Sequence, residues 1–334
     1  MSLILPLIVL LSTTALVDAA CQKHLTAAQI SERGKHPAVF VFFEWVDVVG
    51  DDSTYATVID SVFNGQETYL TTAQSFDDVQ WVVLAYLFGG NTQLDSTTMY
   101  CDIASAAVDS SYCGGGLFWN RQHQYKNAIT NELHLATSSY LYDYTQNATY
   151  LNNLNTTWTW LKASQMFASN GLFDDGLTND GTCSGTGTQW TYNQGVVLVG
   201  LAYLYKFTQD EQYLTEAYDI VDATISTLTT NETLRDSCET NTANQCNANE
   251  ETFKGIAVFF VARFLEIGGT DNGSTMSDFI KAQADSMLAN AVVSGSTSTY
   301  GSALYAAGSS DAAGSASAQS SALGALVAAA QQSC

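Results

Sequence analysis

Apolar residues along this chain recur mostly at helical rather than strand spacing, and the helical segments repeat. One unit, "YKNAITNELHLATSSYLYDYTQNATYLNNLNTTWTWL", starts at Tyr125, and a second, "YNQGVVLVGLAYLYKFTQDEQYLTEAYDIVDATI", starts at Tyr192. The tripeptide YTQ at 144–146 matches FTQ at 207–209, an offset of 63 residues (144 to 207). Each unit predicts an apolar helix, a short polar turn and an amphipathic helix.

Two further segments extend this pattern. "FKGIAVFFVARFLEI" begins at Phe253, and "FDDVQWVVLAYLFGG" at Phe76 opens like another apolar helix. A hairpin cannot bury its apolar helix alone, so such units stack or close into a ring. Six hairpins would fill the chain, which predicts an all-α fold, an (α/α)6 barrel with the apolar helices inside. The Ser/Ala/Gly-rich residues 306–321 are interpreted as a loop, with a final helix in the following "SALGALVAAAQQ".

Such a ring would bring the first residues of its apolar helices to one end, where they would form a pocket. The segments at these positions are Asp77-Asp78, Tyr125-Lys126-Asn127, Tyr192-Asn193-Gln194 and Phe253-Lys254.

Asp77 and Asp78 have two interpretations. Asp is favoured at a helix start because it accepts backbone N–H bonds and suits the positive end of the helix dipole. Capping needs only one carboxylate, however, and two adjacent ones repel, which raises the pKa of one and leaves the other ionised. A proton donor beside a carboxylate is what glycosidic cleavage requires. Neighbours fit the roughly 5–5.5 Å separation of retaining enzymes better than the roughly 6.5–9.5 Å of inverting ones.

A second acidic cluster lies in the Gly-rich segment "GLFDDGLTNDG", which contains Asp174, Asp175 and Asp180. The segment lacks EF-hand spacing and the terminal Glu of that motif, which argues against a calcium loop. It is interpreted about equally as a substrate-binding loop or as a turn-forming loop. Four aromatic residues lie beside these polar segments and either pack in the core or form a platform for sugar rings: Trp119, Tyr125, Trp190 and Tyr192.

The charge and the remaining motifs exclude several classes of function. Eleven basic against 33 acidic residues give a formal charge of −22, which lacks the basic footprint of a nucleic-acid binder. The four histidines show neither HExxH nor HxH spacing, and the chain contains no GxSxG serine elbow and no P-loop. We therefore expect neither a metal site nor a cofactor.

The N-terminus predicts export. An apolar stretch at residues 3–11, too short to span a bilayer, is followed by small residues, as in a secretory signal peptide. We predict a signal peptide at residues 1–19 and one catalytic domain at residues 20–334, without a transmembrane segment. The protein is expected to be secreted, extracellular or associated with the cell wall, and monomeric.

The seven cysteines fit that compartment, because none has CxxC metal spacing and export favours disulfides. The obvious local pairs are Cys238 with Cys246 and Cys101 with Cys113, although spacing alone does not fix the pairing, and the odd number leaves one thiol over. Four N-glycosylation sequons fit the same route, at Asn147, Asn155, Asn231 and Asn272.

Several segments together resemble glycoside hydrolase family 76, which contains endo-α-1,6-mannanases and related fungal cell-wall proteins. They occur in the family's order: "DDVQWVVLA", "YKNAITNEL", "GLFDDGLTNDG", "WTYNQGVVLVGL", "FKGIAVFFVARFL" and "SASAQSSALGAL". The similarity covers most of the chain from about Asp77 onward. The family usually has two adjacent tryptophans after its Asp pair, whereas here only Trp81 is present, followed by two valines.

The resemblance implies an (α/α)6 barrel and a retaining mechanism with Asp77 as nucleophile and Asp78 as general acid/base. It also implies that other residues bind substrate in the groove: Asn127, Asn131, Asp174, Asp175, Gln194, Trp119, Trp190 and Tyr192. The expected function is a secreted endo-acting α-1,6-mannosidase that hydrolyses cell-wall mannan. Three alternatives stay open: a cell-wall transglycosidase acting on mannose-containing glycans, a mannan-binding protein without catalysis, and a glycosidase that uses the same barrel on another polymer.

Overall fold

The computed structural model describes residues 75–88, 100, 103–104, 107–239, 246–293, 299–301, 303–305 and 315–333. The predicted signal peptide lies outside these residues, as do Cys21, Cys101 and Cys334. The described residues contain eight α-helices: α1 (Phe76–Phe88), α2 (Ala128–Thr145), α3 (Ala148–Ala163), α4 (Thr191–Thr208), α5 (Gln212–Thr227), α6 (Phe253–Ile267), α7 (Thr275–Asn290) and α8 (Ala316–Ser333). The chain also forms a two-stranded antiparallel hairpin, β1 (Thr229–Thr230) and β2 (Thr233–Leu234), and a 3-10 turn at Glu250–Thr252.

The helices alternate between an inner and an outer layer. Every residue from Ala128 to Leu141 of α2 and from Thr191 to Leu204 of α4 is buried, as expected of helices surrounded by protein. By contrast, α5 buries one stripe of five residues: Leu214, Ala217, Ile220, Val221 and Thr224. The predicted hairpins of an apolar and an amphipathic helix are therefore confirmed.

The inner helices pack in chain order, α1 on α2, α2 on α4, α4 on α6 and α6 on α8, while α3, α5 and α7 cover them from outside. Four inner helices start at residues 128, 191, 253 and 316, so the repeat is 63, 62 and 63 residues long. Because each inner helix returns through an outer one, the inner helices run parallel and begin at the same end of the ring.

The turn between inner and outer helix is also repeated. Gln146 and Gln209, 63 residues apart, both adopt a left-handed conformation with φ of 56° and 59°. Each side-chain amide donates to two carbonyls of the last helical turn. Asn147 and Asp210 then accept backbone N–H groups at the start of the next helix. The matched YTQ and FTQ tripeptides therefore mark the same reversal of the chain.

A side-chain amide at the fourth residue of three inner helices, buried in α2 and α4 and partly buried in α8, holds the loop that precedes that helix. In α2, Asn131 accepts from the backbone N–H of Leu117 (2.8 Å) and donates to its carbonyl (3.1 Å). In α4, Gln194 bonds the N–H (2.8 Å) and carbonyl (2.9 Å) of Phe173 in the same way. In α8, Gln319 accepts from the N–H of Tyr300. These repeated amides thus hold the loops at the end of the ring where the inner helices begin, called the helix-start end below.

The final helix starts earlier than the low-complexity composition indicates. α8 begins at Ala316, so the prediction of a loop is wrong for the last part of residues 306–321. The Ser315 hydroxyl accepts from the N–H of Ala318 (2.9 Å), as an N-cap residue does. Small residues also let the inner helices approach closely, since a Cβ at Gly195 of α4 would lie 2.6 Å from the Cα of Ala257 in α6.

Candidate active site

The loop before α2 holds the start of α1. The carbonyl of Trp119 accepts from the backbone N–H of Phe76 (2.7 Å), the first residue of that helix. Asp77 and Asp78 follow in the first turn, where unpaired backbone N–H groups and the helix dipole favour negative charge. The indole N–H of Trp119 lies 3.1 Å from both carboxylate oxygens of Asp77. One loop residue thus fixes both the helix start and the first carboxylate.

The two carboxylates have separate hydrogen-bond donors. Asp77 also accepts from the backbone N–H of Asp78 (2.9 Å), and Asp78 accepts from the hydroxyl of Ser75. Both side chains are partly buried. Burial, and next the charge of Asp78, raise the pKa of Asp77 to about 7, and the N–H donors only partly offset this. The pair therefore holds one proton and one negative charge at mildly acidic pH.

A third carboxyl group faces the same end of the ring. Asp175 accepts from the Tyr125 hydroxyl (2.7 Å), and the Trp190 side chain also faces it. The backbone carbonyl of Asp175 accepts from the backbone N–H of Ala128 at the start of α2 (2.7 Å). Burial, as the largest cause, raises the pKa of Asp175, although Tyr125 and Trp190 oppose the effect.

Aromatic rings from α4 and α6 form one wall beside these acids. The ring of Tyr192 stacks on that of Phe253, with centroids 3.9 Å apart and planes 7° from parallel. Trp190 meets Phe253 edge-on at 5.5 Å, and Trp119 meets Tyr125 edge-on at 6.5 Å. Phe253 was not among the predicted binding residues. Phe253 opens an inner helix, as the Tyr192 segment does. That shared position is the sequence signal that indicates a place for Phe253 at the site.

Tyr192 lies near enough to several acids for their charges to act on its hydroxyl. Burial first, and then the charges of Asp175, Asp77 and Glu132, raise the pKa of the Tyr192 hydroxyl well above its usual value. The hydroxyl therefore stays protonated and feels the charges of both Asp77 and Asp175. Of the predicted site residues, the structure brings together Asp77, Asp78, Asp175, Trp119, Trp190 and Tyr192.

Four predicted binding residues lie behind this surface. Asn131 and Gln194 use their amides on the loop backbones described above. The Asp174 carboxylate accepts from the N–H of Gly187 (2.8 Å) and the amide of Gln189 (2.9 Å). Asn127 is the N-cap of α2. All four are at most 5% exposed, and their hydrogen bonds hold the loops of the site.

Two buried lysines of the helix-start segments also point away from the acids. Lys126 donates to the carbonyls of Asp109, Tyr112 and Gly115, and Lys254 pairs with Glu239 at 2.7 Å. In the second acidic cluster, Asp180 accepts from Thr178 and Thr182 in an exposed turn. The cluster is therefore turn-forming at Asp180 and part of the site at Asp175.

Two disulfides are present in the described part of the chain. Cys238 pairs with Cys246, as predicted. The predicted pair of Cys101 with Cys113 is wrong, because Cys113 pairs with Cys183, 70 residues away. The bond joins the loop before α2 to the loop before α4, and a pairing based on proximity in sequence misses such a contact.

The sequence comparison decides the family. The chain matches the model of glycosyl hydrolase family 76 over residues 51–333. This chain belongs to glycosyl hydrolase family 76. Among curated relatives in family 76, mannan endo-1,6-alpha-mannosidase DCW1 of Saccharomyces cerevisiae is 32% identical over 168 residues, which are 48% of this chain and 36% of the relative. Mannan endo-1,6-alpha-mannosidase DFG5 of Candida albicans is 31% identical over 162 residues, 45% of this chain and 36% of the relative. The matches thus span little more than a third of either relative.

Solved structures of family 76 share the fold. The α-1,6-mannanase from Salegentibacter sp. has a TM-score of 0.76 at 20% identity and covers 96% of this chain and 98% of its own. An inactive variant of that enzyme, with two consecutive aspartates changed to asparagine and α-1,6-mannotriose bound, has a TM-score of 0.77, 20% identity and the same coverage. Dfg5 from Chaetomium thermophilum, in complex with glucosamine, has a TM-score of 0.75 at 18% identity, over 93% of this chain and 82% of its own. The predicted (α/α)6 barrel is therefore confirmed.

Proposed function

We propose that this member of family 76 is a retaining glycoside hydrolase that cleaves internal linkages of α-1,6-mannan. The carrying observation is the pair Asp77 and Asp78 at the helix-start end of the barrel, in which the pKa of Asp77 is raised to about 7. The pair thereby supplies a proton donor and a carboxylate together, the two groups that glycosidic cleavage needs. The inactive double-aspartate variant of the related mannanase supports the same assignment.

The reaction uses the two carboxyl groups in turn. In the first step the Asp77 carboxylate forms an ester bond to the anomeric carbon. The bond from that carbon to the glycosidic oxygen breaks, and the oxygen takes the proton of Asp78. In the second step water adds to the anomeric carbon and gives its proton to Asp78, while Asp77 leaves as a carboxylate. Both groups return to their starting states and the anomeric configuration is retained.

Two contacts support giving the nucleophile role to Asp77. The Trp119 indole N–H is a donor only, so its bonds to both oxygens of Asp77 stabilise the ionised form needed for attack. The Asp78 carboxyl is bonded to a hydroxyl that can both donate and accept, so it can hold the proton. In the free protein the proton belongs to the coupled pair. A bound substrate whose glycosidic oxygen accepts a hydrogen bond from Asp78 would place the proton on Asp78.

The surrounding groups suit a neutral sugar chain. Asp175 with Tyr125 offers hydrogen bonds to hydroxyl groups, and the rings of Trp119, Trp190 and Tyr192 offer faces or edges to pyranose rings. Relatives named as mannan endo-1,6-alpha-mannosidases and the mannotriose complex support α-1,6-linked mannose as the substrate class.

We propose that the protein works outside the cell, secreted or at the cell wall. Two disulfides fit an oxidising compartment, and all four sequon asparagines are exposed. No helix among the described residues is long and apolar enough to cross a membrane.

Azide rescue tests the two catalytic roles separately. With a mannoside bearing an activated leaving group, Asp78→Ala plus azide is expected to give α-mannosyl azide, because azide attacks the glycosyl ester on Asp77. Asp77→Ala plus azide is expected to give the β-azide, because azide replaces the nucleophile. The reverse pattern would exchange the roles, and full activity in both variants on α-1,6-mannan would remove the pair from catalysis.

A further inference from the structure

A carboxyl group that the mechanism does not use lies inside the barrel. Glu132 of α2 is 0% exposed, and its Oε2 accepts from the Nδ2 of Asn193 in α4 at 3.1 Å. These two side chains connect adjacent inner helices one turn below the site. A buried charge without a positive partner is very unfavourable, so the protonation state of this carboxyl group matters.

The unpaired atoms of these side chains match each other. Glu132 Oε1 and Asn193 Oδ1 are both buried and find no hydrogen-bond partner among the described residues. Two acceptors cannot bond one another, but a proton on Oε1 converts it to a donor for Oδ1. The acid and the amide would then form a cyclic pair with two hydrogen bonds, and both unpaired atoms would be satisfied.

The electrostatic surroundings favour the same state. Burial, the largest cause, and the negative charge of Asp175 raise the pKa of Glu132 well above its usual value, while the Asn193 bond opposes this only in part. Within the part of the chain that the structure describes, no cation is among the groups that act on it. Full burial and the two unpaired oxygens therefore favour the neutral acid at Glu132.

The pair connects directly to the site. Asn193 follows Tyr192 in α4, and its side chain lies against the Tyr192 hydroxyl. The charges of Asp77 and Asp175 act on the same hydroxyl, and the charge of an ionised Glu132 would act on it as well.

We propose that Glu132 is a positioning residue, a neutral carboxylic acid paired with the Asn193 amide, and that this pair holds the adjacent Tyr192 side chain in place beside the catalytic acids. The role rests on the proposed function of the pair. The neutral Glu132 adds no further negative charge near the catalytic acids, and its hydrogen bonds fix the rotamer of Asn193.

Three variants of full-length protein test this role. Glu132→Gln preserves a cyclic pair, since its amide can donate to Asn193 Oδ1 and accept from Nδ2. Glu132→Leu fills the volume but leaves the Asn193 amide unpaired. Thr137→Val is the matched control, because Thr137 is equally buried in α2 and its hydroxyl bonds only within that helix.

On α-1,6-mannan we expect kcat of Glu132→Leu to fall by about 10- to 100-fold, the range for misplaced catalytic groups, with a much smaller change in KM. Glu132→Gln should recover most of that loss and keep the wild-type pH profile, and Thr137→Val should match wild type. A Glu132→Gln profile whose limbs move to lower pH would show that Glu132 is ionised and overturn the proposal. Wild-type kcat in Glu132→Leu would do so as well.

An infrared measurement keeps the test independent of turnover and of the folding of the leucine variant. The difference spectrum of wild type minus Glu132→Gln at neutral pH should contain the carbonyl band of a protonated carboxyl group. A carboxylate band in its place would contradict the neutral state. If wild type cleaved no mannan, the proposed function would fail, whereas the infrared result would still decide the state of Glu132.

Discussion

The indole N–H of Trp119 lies 3.1 Å from each carboxylate oxygen of Asp77, across 42 residues of sequence. The contact joins an exposed aromatic ring, 38% accessible, to the carboxyl group proposed as nucleophile. It holds the orientation of that carboxylate while the tryptophan side chain stays partly exposed to solvent.

Trp119→Phe should lower kcat/KM by about 10- to 100-fold, because a hydrogen bond to a charged group contributes roughly 1.5–3 kcal/mol. The indole N–H also lowers the pKa of Asp77, so its loss raises that pKa further. The descending limb of the kcat/KM profile should therefore move to higher pH. Steady-state kinetics on α-1,6-mannan across pH measure both effects.

Trp190→Phe is the matched control for that experiment. Trp190 faces Asp175 rather than Asp77, so its replacement should alter KM and leave the position of the descending limb in place. Equal pH shifts in both variants would mean that the Trp119 contact has no specific effect on Asp77.

Activity of the wild-type protein should decline above about pH 7. The pKa of Asp77 is raised to about 7 by burial and by Asp78, and above it the coupled pair loses its remaining proton. A pH profile of kcat/KM measures this limb in the free enzyme. A profile flat to pH 9 would show that the proton donor is not part of this pair.

Asp77→Asn should stabilise the folded protein, and more so at high pH. A carboxyl group whose pKa rises from 3.8 to about 7 on folding binds its proton more tightly in the native state. The stability from that proton is fully present below pH 3.8 and is lost as the pH rises to about 7. We expect Asp77→Asn to gain about 1–2 kcal/mol more at pH 8 than at pH 4. This is less than the full pKa shift implies, because the group is partly exposed.

Urea unfolding of Asp77→Asn and wild type at the two pH values measures this difference. Asp180→Asn is a useful comparison, since that carboxyl group is in an exposed turn and its pKa is lowered by Thr178 and Thr182. The effect of Asp180→Asn on the free energy of unfolding should have the opposite sign, so that this variant is less stable than wild type at high pH. A pH-independent effect of Asp77→Asn would contradict the raised pKa.

The repeat made most of the architecture predictable. Inner helices are surrounded by protein and outer helices lie at an interface with water, so the two kinds differ in apolar pattern. The YTQ and FTQ tripeptides fixed the period because the left-handed glutamines Gln146 and Gln209 need the same local sequence. The start of α8 was not predictable in this way. Its Ala- and Ser-rich first turns carry little apolar contrast.

The candidate site was predictable where it lies on the repeat and not where it depends on loops. Asp77 and Asp78 open an inner helix and were found from the sequence. The approach of Trp119 to Asp77, and the bond between Cys113 and Cys183, depend on where long loops cross the end of the barrel. Sequence pattern also does not separate Asp175, which faces the site, from Asp174, whose carboxylate bonds its own loop.

Gln194→Ala should lower the free energy of unfolding by about 2–3 kcal/mol, because it leaves the backbone N–H and carbonyl of Phe173 unpaired inside the protein. The loop of Asp174 and Asp175 then loses its attachment to α4, so KM should rise as well. Gln319→Ala removes the corresponding contact on α8 with Tyr300. It should lower stability with KM unchanged, and a KM increase in both variants would indicate general loosening of the barrel.

The most direct measurement of the central claim is time-resolved proton NMR of α-1,6-mannan incubated with the purified wild-type protein, with Asp77→Asn and Asp78→Asn as controls. The account predicts internal cleavage to oligosaccharides that appear first as the α-anomer and then mutarotate, with no cleavage by either variant. First appearance of the β-anomer, or undigested mannan in the presence of folded wild-type protein, would contradict it.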